Sequence, residues 1–103
     1  MKKKKFKRTF RKNKRIEHPT YVVDEDGNLF KYIGITHSAN VRGEKTVPLD
    51  KNPNPNDLQK AYVRPKVEKD DKSNFGRRLK NWSFSSSDKR KVEKILKSEK
   101  KKN

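Results

Sequence analysis

The chain contains no cysteine, one methionine and one tryptophan among 103 residues. Without thiols there is no disulfide framework, no thiolate metal site and no cysteine nucleophile. Apolar material is scarce as well: hydrophobic residues make up 27% and charged residues 42%, against about 45–50% and about 25% in ordinary globular domains. Leu, Ile, Val and Phe number 21, close to the level of about 20% at which a highly charged chain loses the means to fold. A large core is excluded, yet the apolar residues cluster, so a small one is expected. No apolar run reaches the length of a membrane span or a signal h-region. Met1 to Lys5 has the charge of a signal n-region, but Phe6 is followed by Lys7 and Arg8. A cytoplasmic protein is therefore expected, with no membrane partner.

What the chain has in excess is positive charge, formally +17. Residues 1–16 carry ten Lys/Arg and no acid, residues 17–87 twelve basic and ten acidic side chains, and residues 88–103 eight basic and three acidic. A nearly neutral centre between basic ends is the pattern of a small domain with basic arms. The expected division is an arm over 1–16, a domain over 17–99 and a basic tail over 100–103. Arms of this kind gain affinity for phosphate polymers by releasing condensed counterions.

Within the centre, Thr20-Tyr21-Val22-Val23 and Leu29 to Ile35 are β-branched and aromatic runs on either side of Asp26-Gly27, a strong hairpin signal. Thr46 to Leu49 reads as a short edge strand because Pro48 cannot donate to a ladder. Asn52-Pro53-Asn54-Pro55 forms a rigid polar turn. Ala61 to Val67 alternates, with Ala61, Val63 and Val67 on one face and Tyr62, Arg64 and Lys66 on the other. Thr36 to Lys45 and Glu68 to Asn74 read as loops. Phe75 and Leu79 suggest a turn of helix ending in an aromatic corner at Trp82 and Phe84, with Trp82 a core anchor. Ser85 and Asp88 have capping-box spacing, and Val92, Ile95 and Leu96 form a stripe on the helix that follows. The fold class expected is α+β: a three- to four-stranded, mostly antiparallel sheet with a C-terminal helix.

The function expected first is nucleic-acid binding, RNA or single-stranded DNA slightly favoured. Tyr62, Arg64 and Lys66 on one strand face supply a ring to stack and cations for phosphate, and Arg77, Arg78 and Lys80 extend that surface. In the arm, Phe6 and Phe10 are spaced for stacking, with Arg8, Arg11 and Arg15 beside Lys2 to Lys5 for backbone contacts. The alternative for the arm is a solubilising tail, or one whose phenylalanines dock on the domain. A second function class is a metal-independent endoribonuclease, with His37 as general base and Arg64 holding the phosphate charge. A third is a protein-interaction module or inhibitor. No cofactor is expected: phosphate loops are absent, two histidines without cysteine have no zinc spacing, and Asp24 to Asn28 lacks the later glutamate of a calcium loop.

The segments His18-Pro19-Thr20-Tyr21, Gly34 to Ser38, Asn52 to Pro55, Tyr62 to Pro65 and Asn74-Phe75-Gly76 resemble short basic proteins of phages and mobile elements in Gram-positive bacteria, over about residues 12–96. That resemblance implies a bacterial cytoplasmic setting and carries no activity. In size, charge and the pairing of His37 with Arg64, the chain is similar at the level of fold to small nuclease toxins of the barnase, colicin and RelE group.

Overall fold

The computed structural model describes residues 6–101. Nine strands, one 3-10 turn and one helix follow in chain order: β1 (Thr9–Asn13), β2 (His18–Asp26), β3 (Leu29–Thr36), β4 (Asn40–Val41), β5 (Glu44–Lys45), β6 (Val47–Pro48), β7 (Tyr62–Val63), β8 (Glu68–Asp71), the turn Lys72–Asn74, β9 (Phe75–Arg78) and α1 (Ser86–Lys101). Seven strands make one antiparallel sheet in the order β6-β7-β3-β2-β1-β9. β8 pairs with the first half of β3, on the edge whose second half takes β7. The class is α+β, with one helix beside a mostly antiparallel sheet.

The hairpin at Asp26-Gly27 forms as the sequence suggests. Asp26 pairs with Leu29, leaving a two-residue loop, and Gly27 takes φ +59°, the left-handed geometry such a loop needs at its first position. A bulge between Val22 and Asp24 adds a residue to β2. Val22 and Val23 point to opposite sides of the sheet by alternation, and both are buried because each side carries an apolar cluster.

The sheet has apolar residues on both sides. On the helix side lie Phe10, Val23, Ile33, Ile35, Leu49, Ala61, Val63, Phe84, Val92 and Ile95. On the other, Val22, Tyr32 and Phe75 form a smaller cluster, with Phe6, Ile16 and Phe30 against it. Ser85 caps α1: its Oγ accepts from the Asp88 N–H at 3.1 Å. Asp88 does not return the bond as a capping box requires. Its buried carboxylate instead accepts from the N–H groups of Asp50 (2.8 Å) and Lys51 (3.1 Å), fastening the loop after β6 to the helix. At the other end Glu99 accepts from the Val67 N–H.

The sheet is larger than expected because three of its strands lie in segments whose charge or brevity hides them, and a separate two-stranded ribbon is hidden in the same way. β1 falls inside the supposed basic arm. Its backbone is paired on both edges, to β2 and β9, and Phe10 is only 7% exposed. Three of the cations in that segment are placed individually: Arg8 on Glu93, Arg15 on Asp70, and Arg11 on the Gly76 carbonyl. β8 replaces a charged loop, β9 replaces the turn of helix at Phe75, and β4–β5 is a small ribbon turned by Arg42 and Gly43, both at positive φ. The expected strand over Ala61 to Val67 shrinks to Tyr62–Val63, since Pro65 has no N–H to continue the ladder.

Candidate nucleic-acid interface

Phe10 pairs with Tyr21, and Lys12 with Pro19, across β1 and β2. Period-two alternation puts all four on the helix side of the sheet. The chain after β9 crosses this surface: the Leu79 N–H donates to the Phe10 carbonyl, and the Ser83 N–H to the Pro53 carbonyl. Trp82 is thereby laid over β1, its ring 5.8 Å from Phe10, while Phe84 closes on Phe10 and Tyr21 at 4.9 and 4.8 Å. Two concavities open there, one on each side of Trp82.

The first is a groove of about 470 Å³. Lys7, Arg8, Arg78, Lys80 and Lys89 line it together with Phe10, Tyr21, Trp82 and Phe84, and no carboxylate does. Arg8 is paired with Glu93, which holds its guanidinium pKa above the ordinary value. Among the described residues no ion pair engages Lys7, Arg78, Lys80 or Lys89. Four uncompensated cations around half-buried aromatic rings are the combination by which single-strand-binding surfaces hold phosphate and stack on bases.

The second is a pocket of about 290 Å³, lined by Lys12, Glu17, His18, Pro19, Ile35, His37, Asn52, Asp57, Leu79 and Trp82 among others. His37 Nε2 lies 2.7 Å from Asp57 Oδ2. The other oxygen of Asp57 accepts from the Gln59 N–H at 3.0 Å. That backbone bond, with the imidazole second, holds the Asp57 carboxyl below the usual carboxylate range. With a carboxylate as acceptor, Nε2 carries the proton of the neutral ring and Nδ1 is left as the base.

The residues singled out from sequence divide differently. Arg78 and Arg8 stand at the groove, and Arg77 is exposed beside it on the edge strand. Phe10 is corrected from a stacking residue to a core residue. Phe6 lies on the opposite side of the sheet, edge-on to Phe30 at 6.2 Å. Arg11 sits over that same Phe30 ring, and Arg15 is bound to Asp70 at 2.7 Å. On the strand face of Tyr62, Arg64 and Lys66 both cations are paired with acids. The Arg64 guanidinium is clamped by Glu68 (3.0 Å) and Glu44 (3.2 Å), Lys66 lies 3.9 Å from Glu44, and Tyr62 is half-buried between Thr36 and Pro48. Two acids facing these cations leave little field for a phosphate. Arg64 also does not line the His37 pocket, so the pairing of those two as a catalytic site is not assembled.

Lys89, Lys12 and Asp57 carried no sequence signal as site residues, because only the tertiary fold brings them beside the crossing segment 79–84. Lys2 to Lys5 lie outside the described residues. No group of three His, Asp or Glu side chains that could hold a metal occurs among the described residues, and no helix there is long and apolar enough to cross a membrane. No family model, no curated protein and no solved structure matches the chain.

Proposed function

We propose that this protein binds single-stranded nucleic acid along the groove beside Trp82. The observation that carries this reading is the acid-free lining: Lys7, Arg78, Lys80 and Lys89 ring exposed edges of Trp82 and Tyr21. Cations at such spacing track a phosphate backbone, and a tethered indole stacks on a base without reading its identity. The net charge of +17 adds long-range steering toward any polyanion.

The reading is tested by fluorescence anisotropy of the intact protein with matched single-stranded RNA, single-stranded DNA and duplex DNA at several salt concentrations. Single strands are held more tightly than duplex, and log K falls steeply and linearly with log salt. Equal affinity for all probes would reduce the groove to a nonspecific charge patch. No binding at physiological ionic strength would remove the function altogether.

A further inference from the structure

The chain has two histidines, and both line the pocket on the far side of Trp82 from the basic groove. His18 opens β2, and His37 follows the last residue of β3. Extending the register Thr20–Gly34 by two residues sets His18 opposite Thr36, one residue short of His37. Lys12, paired with Pro19 on the neighbouring strand, supplies the only cationic side chain of the lining. His37 is accessible, with its side chain 53% exposed, and it is oriented by Asp57.

A purely structural account would make His37–Asp57 a staple for the Asn/Pro loop. That loop is already held without it. The Leu49 N–H donates to the Ala61 carbonyl, the Asp57 N–H to the Asn54 carbonyl, the Ser83 N–H to the Pro53 carbonyl, and the Asn52 amide to the Gln59 carbonyl. The imidazole–carboxylate pair is therefore surplus to the loop's own bonding, and it lines a cavity that shares Leu79 and Trp82 with the groove proposed to hold the strand.

We propose that this pocket cleaves RNA without a metal, an inference that rests on the nucleic-acid reading of the groove. His37 Nδ1 takes the proton from a ribose 2′-hydroxyl, and the 2′-oxygen attacks the adjacent phosphorus. The Lys12 ammonium faces the charge that builds on the phosphoryl oxygens. The bond from phosphorus to the 5′-oxygen breaks, and that oxygen takes its proton from solvent. The products are a 2′,3′-cyclic phosphate and a 5′-hydroxyl. No electron donor or further reactant is consumed, and the proton gained by His37 returns to solvent. Trp82, forming a wall of both concavities, would hold the base next to the scissile phosphate. Glu17 and Asp57 are the carboxylates of the pocket; Asp57 is engaged by His37, and Glu17 stands at the turn before His18.

The test uses end-labelled single-stranded RNA in EDTA, with anisotropy of the same probe read in parallel. Wild type is expected to produce cyclic-phosphate ends and to leave the matched DNA and 2′-O-methyl RNA intact. His37→Ala and His37→Gln are each expected to slow cleavage by about 100-fold or more, the scale of a lost general base, with RNA affinity unchanged. The glutamine keeps a donor for Asp57 but cannot take the proton, so a glutamine variant at wild-type rate would show a staple and overturn the proposal. The same holds if His37→Ala, purified identically, cuts at the wild-type rate. Wild type that binds RNA and leaves it uncut overturns the cleavage site while the binding function stands. Wild type that binds no RNA overturns both.

Discussion

Asn13 Nδ2 lies 3.0 Å from Asp70 Oδ2, so β1, in the basic N-terminal segment, is tied through one contact to β8, which pairs on the far side of β3. Asn13 is fully buried, and its Oδ1 accepts from the N–H groups of Arg15 and Ile16, shaping the turn into β2. Replacing Asn13 by Ala strands those donors and removes a bond from the Asp70 carboxylate. Unsatisfied buried groups cost about 1–3 kcal/mol each. Asn13→Ala should therefore lower the urea midpoint clearly, while Lys12→Ala, one residue away and exposed, should leave it nearly unchanged.

Asp70 also sets the response to acid. Burial opposes its ionisation, but bonds from Asn13, Arg15, Asn74 and the Asp71 N–H outweigh that and hold its carboxyl well below the usual range. The unfolded chain then binds protons more readily than the folded one, so stability rises with pH. The contribution is complete above the ordinary carboxylate value of about 3.9 and is lost as pH falls below it toward the lower folded value. The stability gap between wild type and Asp70→Ala should be full at pH 6 and shrink progressively below about pH 4. A gap constant down to acid pH would mean that Asp70 does not gain its stability from ionisation.

Phe10 decides whether residues 9–13 belong to the domain. As part of an unpacked arm, its loss would hardly register. Packed at 4.8 to 5.8 Å against Tyr21, Phe84 and Trp82, its replacement by Ala should cost about 3–5 kcal/mol, enough to unfold a domain with so small a core. Circular dichroism with thermal melting reads the difference directly.

The hairpin, the helix with its Ser85 cap and the core stripe Val92, Ile95 and Leu96 are legible in the sequence, because each rests on local periodicity or turn chemistry. β1 is not, since a strand flanked by two others needs few apolar side chains of its own: one phenylalanine, one buried asparagine and two ladders suffice. β9 is hidden because Phe75 and Leu79 fit a helical spacing as well as a strand followed by a crossing segment. The site suffered most from pairing that sequence cannot show. Alternation puts Tyr62, Arg64 and Lys66 together, but Glu44 and Glu68, which neutralise them, arrive from a ribbon and a strand that local patterns do not reveal.

Charge reversal separates the two basic surfaces. Arg78→Glu and Lys80→Glu, at the uncompensated groove, should weaken single-strand binding. Substituting either by Ala should reduce the slope of log K against log salt by about 1 for each phosphate no longer neutralised. Arg64→Ala leaves Glu44 and Glu68 facing each other without their shared cation, so it should lower stability and leave the salt slope unchanged. A slope that drops for Arg64 and not for Lys80 would move the interface back to the Tyr62 strand.

Trp82 is the chain's single tryptophan, so its fluorescence reports the wall between groove and pocket without a label. Stacking on a base should quench the emission in proportion to occupancy, with the same midpoint that anisotropy gives. Trp82→Phe keeps a ring over Phe10 and should bind with a modest loss. Trp82→Ala should weaken single-strand binding by about 1–3 kcal/mol, the worth of one stacked base. Duplex affinity should change far less, because paired bases offer no free face. Emission that stays constant through a saturating RNA titration would place the strand away from Trp82, and both the groove and the His37 pocket beside it would lose their proposed ligand.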